Sequence, residues 1–496
     1  MSKGRILFVF APTLDPHDRF FNCYPGSLLH AVAPLVDAVD RGVVDIEYVP
    51  VVFHPKIFTD RSLTAFREIL TRFRPTHLAI SSTYDSWHVA LRLAREARHV
   101  APDIITIHGG PHLDEVLEPF VLQRMPGLDP FSGAARDAVD FAIGGDGEYV
   151  LLKLIADTAG ASDPADAQRR VAERLDDYRS LPGTGSIAFP KDDEKVIVRF
   201  RTPMNLDDIP FVPRHLLPVA DLYDFDCFRN ETGQRLSTVT MITHRGCRAR
   251  CTFCSEGLPY QARSLDHILA EARQLRARDV DAIFIDDSTV QDDPEHMKMF
   301  AELHALGFRL GALTRFDLLQ DASHVREMRQ HGVEYLYASI EQYDDSSLQD
   351  MHKGVTTRQI DRGIENLRSA GIKLGVSLLF GLPDETPRSV DGTLGYVRDL
   401  AAEDAVEYVS LSLFSYHPRT PLGSMHRDRV RTFQFDGGPP NLRYPYTGFE
   451  EGSWYHPEHV TDDYTEDLLL RAKAGFGGRL VREIAKHRGS LGHDNT

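Results

Sequence analysis

Three of the five cysteines in the 496-residue chain, Cys247, Cys251 and Cys254, fall within the stretch THRGCRARCTFCSE (243–256) as a C-x3-C-x2-C array. Thiols this close on one loop can share a metal centre. A structural zinc ion wants four ligands, commonly from two separated C-x2-C pairs. Cys23 and Cys227 belong to no such pair, and the nearest histidine, His244, stands just upstream. Three thiolates suit a [4Fe–4S] cluster with one iron left open, because iron–sulfur clusters favour thiolate ligands and an open iron can bind a substrate. A zinc ion completed by a distant histidine, and inert buried cysteines, are the other readings of the array.

The elements around the array decide where it sits. TVTMIT (238–243) reads as a strand running into the cysteines, and a helix is expected at about 264–278. DAIFID (281–286), RLGALT (309–314), EYLYASIE (334–341), IKLGVSLLFG (372–381) and VEYVSLSLFS (406–415) then repeat the strand pattern with helical segments between them. Six such units make an incomplete (β/α) barrel, whose working residues lie at the carboxyl ends of its strands. The array follows the first of them.

An earlier α/β region precedes the barrel. Strand-like runs at 5–10, 45–53, 77–82, 104–108 and 140–144 alternate with helical periods at about 27–40, 61–72, 85–100, 113–124 and 147–158. That alternation predicts a parallel sheet wound with helices. The runs end in Ser81-Ser82-Thr83, Gly109-Gly110-Pro111-His112 and Gly144-Gly145-Asp146-Gly147-Glu148. Ligands of open α/β sheets bind at such ends, and glycine there lets a backbone approach a large ligand; ordinary strand-to-helix turns also use glycine. Between 159 and 236, SIAFP and VIVRF flank Lys191-Asp192-Asp193-Glu194 as a hairpin would, and NLDDIPFVPRHLLP reads as an extended connector. The expected domains are 1–160, a linker with a hairpin at 161–235, the barrel at 236–420 and an extension at 421–496.

Composition narrows the partners. With 42% hydrophobic and 26% charged residues, the chain has the makings of several packed cores. A net charge of −17 speaks against a general nucleic-acid binder, which needs basic surface, and favours a small-molecule partner. Lys3 and Arg5 precede only the short run ILFVF before Ala11-Pro12, too brief for a signal peptide, and nothing reaches membrane-spanning length. A cytoplasmic protein with neither membrane nor nucleic-acid partner is expected. There, clustered cysteines point to metal or redox chemistry rather than disulfides.

Cys247, Cys251 and Cys254, with Phe253 before the last cysteine, resemble the signature of the radical SAM (S-adenosylmethionine) superfamily. RARDVDAIFIDDSTV, LTRFD, SIEQYDDSSLQDMHKGVTTRQIDRGIENLRSAGI and LLFGLPDETPRSVDGTL are similar, in order, to the strands and loops of that family's barrel. YPGSLLHAV, LAISS, HGGPH and VDFAIGGDGE resemble the cobalamin-binding domain that precedes the barrel in its B12-dependent branch. The resemblance covers about residues 5–420. It implies a Rossmann-like cobalamin-binding-type domain, a partial (β/α)6 radical SAM barrel and a small C-terminal extension that closes the barrel.

The resemblance also implies roles. Cys247, Cys251 and Cys254 would ligate three irons, and the fourth would chelate the amino and carboxylate groups of SAM. Reduction of the cluster would then release a 5′-deoxyadenosyl radical that takes hydrogen from the substrate. Ser339 and Glu341 match polar contacts to SAM, and Arg315 a partner of its carboxylate, although a surface ion pair is the plain alternative for Arg315. Ser377 to Asp384, with Leu379 and Gly381 between them, stand where members place G-x-I-x-G-x-x-E against adenine by main-chain contact. Asp286-Asp287-Ser288 replace a Gly-Gly-Glu-like segment, so Asp286 is matched to the SAM ammonium, while Asp287 and Ser288 could equally cap the next helix. Around cobalamin the matching positions are Ser81, Ser82, Thr83, Gly109, Gly110, Gly145 and Gly147. The D-x-H-x-x-G motif is absent, as it generally is in this branch; Asp15-Pro16-His17 begins like it but lacks the glycine.

Two reactions fit these parts: methyl transfer from cobalamin to a substrate carbon in specialised metabolism such as antibiotic biosynthesis, and a cobalamin-independent dehydration or rearrangement, as in relatives that deoxygenate aminoglycoside sugars. A non-catalytic corrinoid or iron–sulfur carrier is a third reading, disfavoured because a carrier has no use for SAM contacts. The implied redox partner is a flavodoxin or ferredoxin. The Tyr, Trp, His and acidic residues of RTFQFDGGPPNLRYPYTGFEEGSWYHPEH would suit a polar metabolite, and equally an ordinary capping loop.

Overall fold

The computed structural model describes residues 4–11, 26–53, 63–83, 86–118, 129–192, 194–217, 228–256, 260–290, 294–414, 419–425, 457 and 459–477. Two compact units emerge, the first Met1–Leu222 and the second Tyr223–Thr432 with Tyr455–Thr496. Cys23, Cys227, Asp15-Pro16-His17 and nearly all of the aromatic stretch 431–459 lie outside the described residues.

In the first unit the apolar runs form the strands β1 (Gly4–Phe10), β2 (Ile46–Phe53), β3 (His77–Ser81), β4 (Ile105–Gly109) and β5 (Phe141–Gly145). Residues 6–10 of β1 and all of β3 are buried, as expected of strands covered on both faces, which read as continuous hydrophobic runs. These five pair in parallel in the order β2-β1-β3-β4-β5, so the order reverses between β1 and β3. A doubly wound sheet binds its ligands at that switch point, beyond the carboxyl ends of the strands. There Ala11 N donates to Ser81 O at 2.9 Å and Ser82 N to Gly109 O at 3.0 Å, locking three strand ends together.

The hairpin exists, but it is not a linker. Its strands β6 (Gly183–Lys191) and β7 (Glu194–Thr202) pair antiparallel, and β6 pairs antiparallel with β5, extending the sheet to seven strands. The stretch after β7 also packs on this unit, Met204, Leu206 and Ile209 forming a small core with Tyr149. Much of 161–235 therefore belongs to the first unit. Local alternation reveals a hairpin; it does not reveal which edge strand the hairpin joins.

In the second unit, β8 (Thr238–Met241), β9 (His244–Arg245) and β10 (Gln261–Ala262) precede β11 (Ala282–Ile285), β12 (Arg309–Thr314), β13 (Val333–Glu341), β14 (Lys373–Phe380) and β15 (Tyr408–Leu413). Six of them form one parallel sheet in sequence order, β8-β11-β12-β13-β14-β15, the expected incomplete barrel. Capping side chains start the intervening helices: Ser264 before Leu265–Arg276, Asp321 before Ala322–Gln330, and reciprocal Thr356/Gln359 and Thr386/Ser389 boxes before Thr357–Ala370 and Pro387–Ala402. Each cap fixes where the chain leaves the strand end. In the extension, the helix Asp462–Phe476 packs on Pro387–Ala402 through buried Leu468, Ala472 and Phe476.

Two glycines at the strand ends separate packing from other causes. At Gly145, φ is +83° and a Cβ would lie 2.3 Å from Thr184 O, whereas at Gly109 the nearest atom would be Ile143 O at 3.8 Å. Gly145→Ala is expected to cost about 1–3 kcal/mol through forced backbone strain, and Gly109→Ala much less; thermal melts of the two variants check this.

Candidate active site

The barrel sheet presents two unlike faces. Ile283, Ile285, Leu310, Ala312, Leu336, Ala338, Val376, Leu378, Val409 and Leu411 are buried on one. Alternation puts Leu313, Tyr337, Ser339, Ser377, Ser410 and Ser412 on the other, and all of these are only half-buried. At the amino end of this open face, Phe228, Ala282, Phe284 and Tyr335 close it with a hydrophobic plug. Toward the carboxyl end it turns polar, with Tyr337 Oη and Ser410 Oγ 2.5 Å apart and Ser377 donating to Ser339 at 2.9 Å. Chemistry has room at that end only.

The three thiols sit there on a loop closed by a ribbon, in which Arg245 and His244 of β9 pair with Gln261 and Ala262 of β10. Cys247 and Cys251 are half-buried, Cys254 is exposed, and none is in a disulfide. Ala249 N lies 3.4 Å from Cys247 Sγ, Glu256 N 3.4 Å from Cys254 Sγ, and Arg315 Nη1 3.6 Å from Cys251 Sγ. Each sulfur therefore faces an N–H donor. Such donors suit sulfurs that carry negative charge, as in an iron–sulfur cluster, where bound iron would have to outweigh the burial that pushes the Cys254 thiol up to about 11.

Asp287 holds the loop's entry. Its buried carboxylate accepts from Thr243 N at 2.7 Å, from His244 N at 3.1 Å and from the Thr243 hydroxyl, and its Oδ2 lies 2.9 Å from His244 Nδ1. His244, Asp287 and His296 could in principle ligate a metal, since one ligand atom from each lies within 4.8 Å of the others. Two main-chain N–H groups on Oδ1 and the Thr243 hydroxyl on Oδ2 already engage the carboxylate, however, which makes Asp287 a mechanical lock on the loop. Neither Asp287 nor Ser288 caps the next helix, which begins at Pro294; Ser288 Oγ donates to Glu256 at 2.7 Å instead.

Asp286 is open at the barrel mouth yet ringed by protein, and burial, with the Asp287 carboxylate beside it, pushes its carboxyl up to about 7. Ser339 lies on the open face as well. Glu341 does not: the register shifts after Ser339, Glu341 pairs with the back-face Leu378, and its φ is +61°. Its buried carboxylate bonds Lys353 Nζ at 2.7 Å, so the charge is already paired. Arg315 donates to Asp317 at 2.9 Å and to the Lys353 carbonyl as well as to Cys251. Lys353 also lies 5.8 Å from the Phe253 ring, and Thr252 N donates to Met351 O at 2.9 Å. The turn 350–354 thus buttresses the cysteine loop. Sequence reading missed it because Lys353 lies about a hundred residues downstream and carries no local signature.

Leu379 is buried at the end of β14, and Gly381, at φ +78°, starts the turn GLPDE. Gly381 N donates to Glu385 Oε2 at 2.8 Å; Gln342 and Tyr464 also donate to Glu385. Glu385, one position beyond the expected Asp384, is therefore the carboxylate that shapes this turn, while Asp384 is exposed.

In the first unit, Ser81, Ser82, Thr83, Gly109, Gly110, Gly145 and Gly147 do gather at the carboxyl ends of β3, β4 and β5. A Cβ at Gly110 would lie 2.5 Å from Ser82 O, so packing alone requires that glycine. Thr83 N donates to Ser86 Oγ at 3.0 Å at the start of the helix Trp87–Val100. Ser82 Oγ is buried and has no hydrogen-bond partner among the described residues. Beneath these loops Trp87 packs on His108 and His112, with ring centroids 5.3 and 4.7 Å away. Burial lowers these histidines to about 4 and about 3, leaving both neutral at neutral pH.

Residues 241–397 match the Radical SAM superfamily. The chain is 22% identical over 449 residues to an uncharacterized methyltransferase of Pyrococcus horikoshii, covering 87% of this chain and 86% of that protein. It is 24% identical over 400 residues to the anaerobic magnesium-protoporphyrin IX monomethyl ester cyclase of Rubrivivax gelatinosus, covering 78% of this chain and 65% of that one. Among solved structures it resembles the radical S-adenosylmethionine methyltransferase TsrM of Kitasatospora setae, with TM-score 0.63, 17% identity and coverage of 97% of this chain and 92% of TsrM. Residues 241–397 therefore form a radical SAM domain, and the protein is an enzyme. A [4Fe–4S] cluster and SAM are the cofactors that such a domain implies.

Removing the lock should be costly. Asp287→Ala is expected to destabilise the second unit by about 3 kcal/mol, because two buried main-chain donors and the Thr243 hydroxyl lose a charged acceptor. It should also lower the iron retained after anaerobic reconstitution; thermal melts and iron assays check both effects.

Proposed function

We propose that this protein is a cobalamin-dependent radical SAM C-methyltransferase acting on a small molecule in specialised metabolism. The observation that carries the reading is the pairing, in one chain, of a three-thiol loop at a barrel mouth with a doubly wound sheet whose switch point holds a buried, unpartnered serine hydroxyl. Support comes from the methyltransferase relative that spans most of both chains and from TsrM, solved with cobalamin and a [4Fe–4S] cluster. When bound, the cluster supplies the electron that cleaves SAM to a carbon-centred radical, and cobalamin supplies the methyl group.

The chain's own residues would divide the work as follows. Cys247, Cys251 and Cys254 hold the cluster, with Phe253 and Lys353 packed behind the loop. Asp286, ionised, accepts a hydrogen bond from the SAM amino group. Ser339, on the open face, contacts SAM's polar groups, and the backbone at Leu379 and Gly381, shaped by Glu385, meets the adenine. Ser82 and Gly109 receive the corrinoid, with Ser81, Thr83, Gly110, Gly145 and Gly147 forming the floor around it. Tyr337, Ser410 and Ser412 leave hydroxyls for a polar substrate. Among the described residues no helix is long and apolar enough to cross a membrane, and the reading places the enzyme in the cytoplasm with a flavodoxin or ferredoxin as electron donor.

Corrinoid content decides between the reactions. After anaerobic cluster assembly, incubation with hydroxocobalamin and desalting, cobalt near one per chain is expected, and clearly less for Gly109→Phe. A wild-type chain that cleaves SAM but keeps no cobalt would overturn methyl transfer in favour of dehydration or rearrangement.

Asp286 supplies a pH signature. Burial and the neighbouring Asp287 push its carboxyl up to about 7, and the ionised form is the better acceptor for the N–H groups of the SAM amine. SAM affinity is therefore expected to fall as pH drops through that value, by about tenfold per unit well below it, and to be weak and nearly flat in Asp286→Asn. Equilibrium SAM binding between mildly acidic and neutral pH provides the check.

A further inference from the structure

The guanidinium of Arg315 is fixed on three sides. Nε donates to Asp317 at 2.9 Å, one η nitrogen to the Lys353 carbonyl, and the other lies 3.6 Å from Cys251 Sγ. The side chain is 14% exposed against 34% for Asp317, so water screens the countercharge more than the cation. Gly354 follows at a φ of +71°, which glycine adopts without strain, and a Cβ there would be in ordinary contact with Nη2 at 3.5 Å. The other two sulfurs receive neutral main-chain N–H groups, from Ala249 and Glu256. Cys251 alone of the three, among the described residues, is paired with a charged donor.

We propose that Arg315 is a positioning residue that raises the reduction potential of the cluster through a charged hydrogen bond to the Cys251 sulfur. The proposal rests on the cluster reading given above. Reduction adds one electron, from a low-potential carrier of the flavodoxin or ferredoxin class, and makes or breaks no bond. The added negative charge is spread over iron and its thiolates. A cation fixed at one thiolate stabilises the reduced form more than the oxidised one, because potentials of such clusters follow net charge and hydrogen bonds to sulfur. Asp317 aims the fork and partly cancels its charge from the side away from sulfur.

The test is a redox titration of the anaerobically reconstituted full chain, without SAM, poised with dithionite and read by electron paramagnetic resonance. Arg315→Met should lower the reduced-to-oxidised ratio at a given potential about tenfold, a shift of about 59 mV to more negative potential for a one-electron couple, and Arg315→Lys should restore part of it. Asp317→Asn should move the midpoint the opposite way, which a merely structural role for either residue does not produce. Iron and sulfide assays show whether each variant has assembled its cluster, and Asp317→Asn carries the test if Arg315→Met has not. Unchanged midpoints in fully loaded variants overturn the proposal; if SAM binding weakens in Arg315→Met at the same time, the residue serves the SAM carboxylate instead. A wild-type chain that takes up no iron and sulfide overturns the cluster reading, and this inference with it.

Discussion

Three thiolates gathered on one irregular loop repel one another, and the loop has no helix or strand of its own to resist that repulsion. What holds it is a set of bonds made from outside, and Asp287 is their centre. By accepting from two consecutive backbone amides and a hydroxyl just before the array, this carboxylate ties the end of β8 to the end of β11. The β9/β10 ribbon then closes the loop, and the turn 350–354 supports it beyond the array. A buried carboxylate held by three donors is rigid, and a rigid entry is what three ligands to one centre require.

The buried pair Glu341–Lys353 looks uneconomical beside this, since apolar side chains of the same size can pack as stably as a buried ion pair. Its position explains it better than its energy. Glu341 sits at the bulge where β13 breaks register, and Lys353 lies in the turn whose carbonyl orients Arg315. Losing either partner would strand a charge and release the turn, so the pair fixes the register of the strand and the aim of Arg315 together.

The elements were legible because their signals are local. Six apolar runs separated by helical periods specify a sequential parallel sheet, and C-x3-C-x2-C specifies a metal loop wherever it falls. What escaped depends on distant pairing. Alternation carries Ser339 and Glu341 to one face, and only a bulge set by β14 separates them. The hairpin at β6 and β7 was readable, whereas its attachment to β5 was not. Asp287 looked like a helix cap because caps follow strands at that spacing; its partners lie more than forty residues upstream.

The same distinction sharpens the first unit. A doubly wound fold does not by itself establish a bound cofactor, and a glycine at a strand end counts toward one only if packing does not already demand it. Packing does demand Gly110, against Ser82, and Gly145, against Thr184. Thr83 is engaged by Ser86, and a Cβ at Gly147 would press on Ala31 at 3.3 Å. Gly109 has room for a Cβ, which would meet Ile143 O in ordinary contact at 3.8 Å, and Ser82 buries a hydroxyl without a hydrogen-bond partner among the described residues. A buried hydroxyl without a partner costs about 1–3 kcal/mol, a penalty that a ligand's polar group would remove. Those two neighbours, one strand apart, therefore carry the corrinoid reading, whereas packing accounts for Gly110 and Gly145.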